Sequence, residues 1–402
     1  MVRVPRRLLV LAVAAALLLA SQAGASSAPL AQRLARALAV PHVSQARTAA
    51  MVFDLQTGET VFSDHPGLSL APASNEKLAV TYAALVGLGP AFRFETDVLG
   101  RGQLVGTTWQ GSLLLAGHGD PTLSSADLAD LAAQVRAAGI LRVTGAVFGD
   151  ESYFDTRRTA PGWRSWYAIN ESPYLSALTV DRGRYAGRYS RNPALSAALL
   201  FKDALRRAGV AVAGAGLGVD RGDEVPLASV DSAPLSEIVR YMDHASDNFT
   251  AELLLKQLGA IERGVGTTAA GAAYTRTVLA EAGVPLAGVR LADGSGLSLL
   301  DRLTVRAVSA LLRAAWADPG IKPVFVAALP VSGRSGTLSD RMRRPPARGH
   351  VQAKTGTTLQ ASALSGYVRS RYVFSVLQNG SPVSAFWARR AQDRFATALA
   401  AQ

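Results

Sequence analysis

Ser74 and Lys77 stand three positions apart, a spacing that lets a hydroxyl and an amine share one face of a helix. The apolar run from Leu78 to Leu88 predicts that a helix begins at Ser74 and ends before Gly89. A serine at a helix N-terminus lies near backbone N–H donors that can stabilise an oxyanion, and a neutral lysine beside it can remove its proton. The pair therefore predicts a nucleophile with its base, although Ser-x-x-Lys alone also occurs at ordinary helix starts.

A lysine acts as a base only when a substantial fraction of it is neutral. Lowering its pKa from about 10.4 to about 7 corresponds to roughly 4 to 5 kcal/mol of desolvation and of repulsion from neighbouring cations. Lys354, near the end of the chain, is the candidate for the second cation beside Lys77.

Two further motifs follow Ser74-x-x-Lys77 in chain order. They are Ser246-Asp247-Asn248 and Lys354-Thr355-Gly356, and together the three motifs form the signature of class A β-lactamases and penicillin-binding proteins. In that chemistry Ser246 can relay a proton to the leaving amine, and Asn248 can hold a substrate amide. The ordered triple predicts a site for serine acyl transfer.

The third motif and the residue after it have the groups that an anionic substrate end requires. Lys354, Thr355 and the hydroxyl of Thr357 are expected to bind a terminal carboxylate. Gly356 is expected to remove a side chain where a substrate strand approaches.

The elements around these motifs predict an antiparallel sheet with helices packed on it, an α+β fold. A hairpin at 50–62 precedes Ser74, and three strands at 350–354, 363–368 and 372–377 precede a closing helix at 385–400. Short strands and turns from about Phe94 onwards predict an inserted α/β domain. The expected division is a signal peptide at 1–25, a catalytic domain at 28–93 and 236–402, and an inserted domain at 94–235.

The N-terminus has the features of a secretory signal peptide. Arg6 and Arg7 precede the apolar run Leu8 to Ala20, and Ala23-Gly24-Ala25 follows as a small-x-small cleavage site. We therefore expect an exported protein, periplasmic or associated with the cell wall, cleaved after Ala25. An uncleaved anchor and a twin-arginine export signal are the alternatives.

The composition limits the partners. The formal net charge is +12, and removing the three arginines of the leader leaves +9. Such a charge favours peripheral association with an anionic cell envelope. No nucleic acid is expected as a partner, because the basic residues are scattered and no Lys/Arg run is interleaved with aromatics.

Several chemistries are excluded or disfavoured. The sequence contains no cysteine, and its five histidines form no His-Glu-x-x-His motif, so we expect neither a metal nor any other cofactor. A lipase-like hydrolase is disfavoured because no Gly-x-Ser-x-Gly occurs. His244 is interpreted as a residue at a helix start. Asp293 and Ser295 are interpreted as a turn near the site without a chemical role.

An aromatic group lies in an irregular, polar stretch of the predicted insertion. Such side chains can contact a ligand, but packing of surface loops is the favoured interpretation. The group consists of Trp163, Trp166, Tyr167 and Tyr174.

Four runs of sequence resemble the D-alanyl-D-alanine carboxypeptidase/endopeptidase family called DacB or penicillin-binding protein 4, which is peptidase family S13. They are residues 70–77 (LAPASNEK), 246–254 (SDNFTAELL), 293–298 (DGSGLS) and 353–357 (AKTGT). The resemblance implies a penicillin-recognising transpeptidase fold with an inserted domain. It also implies cleavage of peptidoglycan stem peptides ending in D-Ala-D-Ala through an acyl-enzyme on Ser74, which β-lactams would also acylate. The backbone N–H groups of Ser74 and Thr357 would then form the oxyanion hole.

Two other functions are weighed against this one. A β-lactamase needs a second base for deacylation, in the class A pattern a Glu with an Asn four residues on. The nearest candidate, Glu281, has Pro285 at that place. A non-catalytic protein that binds cell-wall peptides would be favoured by a damaged motif, and all three motifs are intact.

Overall fold

The computed structural model describes residues 29–402, so the predicted leader at residues 1–25 lies outside the described part. Within residues 29–402, no helix is both long and apolar enough to cross a bilayer. The helices are α1 (29–38), α2 (Lys77–Gly87), α3 (Ser125–Ala137), α4 (Tyr167–Asn170, an irregular turn), α5 (Pro193–Arg207), α6 (Leu235–Ala245), α7 (Asn248–Arg263), α8 (Thr268–Glu281), α9 (Val305–Ala317), α10 (Lys322–Ala327) and α11 (Ala385–Ala400). The strands are β1 (Thr48–Asp54), β2 (Thr60–Asp64), β3 (Glu95–Val105), β4 (Thr108–Gly117), β5 (Arg142–Val143), β6 (Val147–Asp150), β7 (Arg184–Tyr185), β8 (Arg188–Tyr189), β9 (Ala211–Val212), β10 (Ala215–Leu217), β11 (Val225–Asp231), β12 (Val351–Thr357), β13 (Ala361–Val368) and β14 (Tyr372–Asn379).

The first sheet has five strands in the order β12-β13-β14-β1-β2, and all its neighbours are antiparallel. The hairpin β1–β2 and the three C-terminal strands lie where the sequence patterns predict them. Because β1 pairs with β14, the two ends of the chain meet in the middle of this sheet. Asn379, the last residue of β14, exchanges two hydrogen bonds of 2.8 and 2.9 Å with the backbone of Ala71.

Strand β13 is buried along its whole length because helices cover both faces of the sheet. Side chains of successive residues point to opposite faces. Thus Ala363 and Tyr367 pack with α2 and α9, whereas Leu364 and Val368 pack with α1 and α11. The predicted α+β fold, an antiparallel sheet covered by helices, is therefore the observed architecture of this part.

Helix α2 lies deepest among the helices on the first face. Every residue from Lys77 to Leu85 is buried, which is typical of a helix surrounded by other elements. Its neighbours include α7, α8 and α9, whose side chains Leu254, Leu279 and Leu312 belong to the same core. A lysine at the first position of such a helix is therefore removed from water.

The chain between α2 and α6 forms a second, mixed sheet. Its order is β10-β6-β4-β3-β11, in which β3 pairs antiparallel with β4 and β11, while β4, β6 and β10 run parallel. Helices α3 and α5 pack on it through Leu131 and Phe201. The chain passes from the first sheet to the second near Phe94 and returns near Leu235. Both side chains pack in the core around α2.

Candidate active site

Ser74 lies on a short 3₁₀ turn, Ala73–Glu76, that leads into α2 at Lys77. The regular α-helix thus begins three residues later than the sequence predicts. Ala73 has φ 47°, a left-handed conformation that is uncommon for a residue with a side chain. The side-chain amide of Asn75 donates to the carbonyl of Lys354 at 2.9 Å, so a tertiary contact with β12 holds the turn.

The ammonium group of Lys77 is completely buried and makes three hydrogen bonds. Nζ lies 3.0 Å from Ser74 Oγ, 2.8 Å from Asn248 Oδ1 and 2.7 Å from the carbonyl oxygen of Ser295. The first two motifs therefore meet at one nitrogen. If Lys77 is neutral, its lone pair can accept the Ser74 proton while the other two contacts orient the amine.

Burial is the main reason that the pKa of Lys77 lies below its ordinary value. The nearby carboxylates of Asp293, Asp247, Asp243 and Glu252 oppose this shift, because each favours the charged amine. The second cation that the sequence suggested, Lys354, does interact with Lys77, and after burial it is their repulsion that lowers the pKa of Lys354. Burial therefore shifts Lys77 towards the neutral form that a base requires.

Lys354 and Ser246 form the second polar pair of the site. Lys354 Nζ, also completely buried, donates to Ser246 Oγ at 2.8 Å and to the carbonyl of Thr355 at 3.1 Å. Burial, and then the charge of Lys77, lowers the pKa of Lys354 to about 7, against the attraction of buried Asp243. Asp243 also accepts a hydrogen bond of 2.8 Å from Thr81 on α2.

A sharp junction between α6 and α7 directs Ser246 and Asn248 into the same cleft. Ser246 ends α6 with φ 58° and ψ 40°, the left-handed conformation that stops a helix. Asp247 then caps α7, because its Oδ1 accepts a hydrogen bond of 2.8 Å from the backbone N–H of Thr250. The central residue of the motif is structural, and its two neighbours reach the lysines.

Both ends of the Asn248 amide are engaged. Its oxygen accepts from Lys77, and its nitrogen donates to the carbonyl of Glu171 at 2.9 Å. Glu171 belongs to the part of the chain that carries the second sheet. The orientation of Asn248 therefore depends on both parts of the protein.

The Lys354-Thr355-Gly356 motif lies on β12, with Thr357 exposed at its end. Thr355 Oγ1 donates to Thr337 Oγ1 at 2.7 Å, and Thr357 Oγ1 accepts a hydrogen bond of 3.3 Å from Arg389. A Cβ on Gly356 would lie 2.9 Å from the carbonyl oxygen of Pro72 and 3.1 Å from the backbone nitrogen of Ser74. The contacts that require a glycine are thus made with the nucleophile's own turn, whereas the sequence suggested an approaching substrate strand.

The loop Asp293–Ser298 contributes a group that the sequence did not indicate, the carbonyl of Ser295. Glu252 Oε1 accepts hydrogen bonds from the backbone of Gly294 and Ser295 at 3.0 and 2.8 Å. Asp293 accepts from the backbone of Gly296 and Ser298, both at 2.7 Å. These buried acids hold the loop so that its carbonyl reaches Lys77. The predicted turn is present, and it contributes to the site through the backbone carbonyl of Ser295, which accepts a hydrogen bond from Lys77.

The predicted aromatic group is divided by the fold. Trp163 Nε1 donates to Asp293 Oδ2 at 2.8 Å, and Tyr167 is buried beside Trp166, which is half exposed. The indole of Trp163 therefore supports the loop that contacts Lys77. The contact between Trp163 and Asp293 is one between two loops, as the favoured interpretation of the aromatic group expects.

Among residues 29–402, no group of three or more His, Asp or Glu side chains is arranged to hold a metal ion. The prediction that His244 lies at a helix start is wrong, because His244 is the last residue but one of α6, where burial lowers its pKa.

The chain is similar to a described enzyme family over nearly all of its described length. The model of the D-Ala-D-Ala carboxypeptidase 3 (S13) family matches residues 30–191 and 182–402. A D-alanyl-D-alanine carboxypeptidase of Actinomadura sp. (strain R39) is 33% identical, with 90% of this chain and 83% of that protein aligned. A carboxypeptidase of Mycobacterium tuberculosis is also 33% identical, with 88% of this chain and 80% of that protein aligned.

A solved structure confirms the predicted fold. The crystal structure of penicillin binding protein 4 (dacB) from Haemophilus influenzae superposes with a TM-score of 0.79 over 91% of this chain and 98% of that one, at 20% sequence identity. The family that the sequence motifs predict is confirmed as well by the family model and the relatives. This chain belongs to the D-Ala-D-Ala carboxypeptidase 3 (S13) family.

Proposed function

We propose that this serine carboxypeptidase removes the terminal D-alanine from peptidoglycan stem peptides ending in D-Ala-D-Ala, through an acyl-enzyme on Ser74. The observation that carries the proposal is the 3.0 Å contact between Ser74 Oγ and the buried amine of Lys77. A hydroxyl is a weak nucleophile at neutral pH, so it needs an adjacent base, and burial of Lys77 supports that role.

In the acylation step, Ser74 Oγ attacks the carbonyl carbon of the penultimate D-alanine and transfers its proton to Lys77. The backbone N–H groups of Ser74 and Thr357 stabilise the resulting oxyanion. As the tetrahedral intermediate collapses, the peptide C–N bond breaks, and the proton taken up by Lys77 passes through Ser246 to the leaving amine, which leaves Lys77 neutral again. D-Alanine departs, and water then hydrolyses the ester.

The terminal carboxylate of the substrate is bound by Lys354, Thr355 and Thr357. Arg389 adds a second positive charge beside Thr357. Asn248 binds a substrate amide, and the backbone at Gly356 lies along the substrate. A cleft with these groups also accommodates the carboxylate and the carbonyl of a β-lactam, which would acylate the same serine.

A β-lactamase is disfavoured by the position of its candidate base. Glu281 is the last residue of α8, and its side chain is exposed to solvent. A protein that only binds peptides is disfavoured because the nucleophile and its base are in hydrogen-bonding contact. Action as an endopeptidase on cross-linked stems uses the same acylation step.

Incubation with a labelled penicillin, followed by intact mass measurement and peptide mapping, tests the proposal. A stable adduct on Ser74, together with release of D-alanine that Ser74→Ala abolishes, supports it. Rapid turnover of the drug would indicate a β-lactamase, and failure to form any adduct would indicate a binding protein.

We also propose that the protein is exported and cleaved after Ala25, and that residues 94–235 form an inserted domain. The apolar run from Leu8 to Ala20 supports the first proposal. The separate core of the second sheet supports the second. N-terminal sequencing of the protein recovered from its native envelope tests the cleavage site. Limited proteolysis tests the domain division, because cleavage is expected near residues 94 and 235.

A further inference from the structure

A groove of about 1050 Å³ lies on the opposite side of β12 and β13 from α2, between α1, the segment 340–346 and α11. Seven of its sixteen lining residues are arginines and two are aspartates. Lysine and arginine together make up only 42 of the 402 residues of the chain. The positive charge of the protein is therefore strongly concentrated in this groove.

Most of these arginines have no polar partner within the described residues, although Arg390 lies 5.8 Å from the centre of the Trp387 ring. Arg341 is held by Asp393 at 2.7 Å and by Gln392 at 3.1 Å. Five others are exposed, and their side chains make no hydrogen bond or ion pair with any residue of the described range 29–402. They are Arg33, Arg343, Arg344, Arg390 and Arg394. Because like charges repel, such a group is stabilised by a ligand that brings negative charge.

The groove reaches the rim of the active site. Arg389 lines the groove and also donates to Thr357, the last residue of β12. Along α11 the lining residues extend from Phe386 to Ala401, which is about 22 Å at 1.5 Å per residue. A surface of that length fits several successive charged groups of a linear polymer.

We propose that this groove binds the phosphodiester backbone of an anionic cell-envelope polymer that accompanies the peptidoglycan substrate. The inference rests on the proposed function for its choice of substrate. Guanidinium groups bind phosphate oxygens in a two-point geometry, and several of them along one groove give additive, salt-dependent binding. An enzyme bound to the polymer through this groove has the rim of its active site next to the peptidoglycan.

Two other polyanionic partners fit the groove less well. A bilayer surface requires a broad apolar face, whereas the only large exposed apolar side chain on this concave lining is Phe386, which is 65% exposed. Single-stranded nucleic acid is bound by a series of stacking aromatics. Phe386 is the single aromatic residue on the lining.

The test uses poly(glycerol phosphate) as the probe and a triple variant, Arg343→Gln, Arg344→Gln and Arg390→Gln, which leaves Arg389 intact. A matched control, Arg191→Gln, Arg206→Gln and Arg207→Gln, removes the same charge from exposed positions in the part of the chain that carries the second sheet. We expect the groove variant to bind the probe at least tenfold more weakly and with a smaller salt dependence, while the control stays within twofold of the wild type.

Activity separates this inference from the proposed function. In the groove variant, penicillin acylation and hydrolysis of a soluble D-Ala-D-Ala peptide should be unchanged, and hydrolysis of intact cell walls that carry the polymer should decrease severalfold. Lack of acylation in the wild type would refute the proposed function, whereas binding of the probe is measured independently of it. The inference is overturned if the wild type does not bind the probe, if both variants lose binding equally, or if phosphatidylglycerol vesicles bind more tightly than the polymer.

Discussion

Arg182 forms an ion pair of 2.6 Å with Asp247, the central residue of the Ser246-Asp247-Asn248 motif. Its guanidinium also lies 5.1 Å from the centre of the Phe249 ring. Arg182 belongs to the part of the chain that carries the second sheet, and Asp247 caps the helix on which Asn248 is the first residue. The part of the chain that carries the second sheet therefore contacts the start of α7 as well as the amide of Asn248.

Arg182→Gln is expected to lower the acylation rate about fivefold. The pair is only partly buried, so about 1 kcal/mol of its interaction is available to position Asn248. The loss should appear in kcat with little change in the pH profile, since no proton donor is altered. Arg184→Gln, at an exposed arginine stacked on Tyr189, is the control and should have no effect. Equal losses in both variants would contradict a positioning role.

Substrate affinity should fall as the pH rises above about 7. The pKa of Lys354 is lowered to about 7, so above that pH the free enzyme loses the ammonium that binds the terminal carboxylate. The Kd of a D-Ala-D-Ala peptide for Ser74→Ala, measured by calorimetry between pH 6 and 9, should increase by up to about tenfold per pH unit. Adding Lys354→Arg should flatten this dependence, because a guanidinium stays charged. A pH-independent Kd in the parent would contradict the prediction.

Glu252→Gln should change how stability depends on pH. Burial, and then the charge of Asp293, raises the pKa of Glu252 in the folded protein to about 8, from an ordinary value of 4.5. Between these values the folded state holds a proton that the unfolded state has lost. The free energy of unfolding therefore decreases as the pH rises from 4.5 through 8.

Glutamine keeps an oxygen for the N–H groups of Gly294 and Ser295 and does not ionise. The thermal unfolding temperature of Glu252→Gln, relative to the wild type, should therefore increase from pH 5 to pH 9. Parallel curves for the two proteins would show that Glu252 is not protonated in the folded state.

Gly356→Ala should destabilise the protein and slow acylation. Its Cβ would lie 2.9 Å from the carbonyl oxygen of Pro72, closer than side-chain contacts allow, and would press on the Ser74 nitrogen at 3.1 Å, and overpacking of this kind costs about 1–3 kcal/mol. The displaced group is the turn that carries the nucleophile, so the acylation rate should fall with stability. Gly67→Ala places its Cβ in open space and is the control, expected within about 0.5 kcal/mol of the wild type. Wild-type acylation in Gly356→Ala would contradict this account.

The regular elements could be predicted from sequence where periodicity and breakers agree. The closing helix at 385–400 and the hairpin before Ser74 have clear patterns of period 3.6 and 2, and the structure places both there. The start of α2 was displaced because Asn75 is bound by a carbonyl of β12, a contact between residues 279 positions apart. Local propensity contains no information about such a partner.

The site was predictable in so far as it consists of side chains in short motifs. Lys77 contacts both Ser74 and Asn248, and Lys354 contacts Ser246, so side chains of the predicted motifs make these contacts. The carbonyl of Ser295 has no side-chain signature, because any residue carries that oxygen. The pair Arg182–Asp247 joins residues of common types across 65 positions, so their types alone do not indicate it.

The two hydrogen bonds between Asn379 and Ala71 join residues 308 positions apart, and Ala71 lies three residues before the nucleophile. During translation, the segment around Ser74 leaves the ribosome long before its partner strand exists. A nascent or truncated chain therefore has all the atoms of the reactive serine without the support that aligns them. The support for the turn that carries Ser74 is therefore complete only when β14 has joined β1.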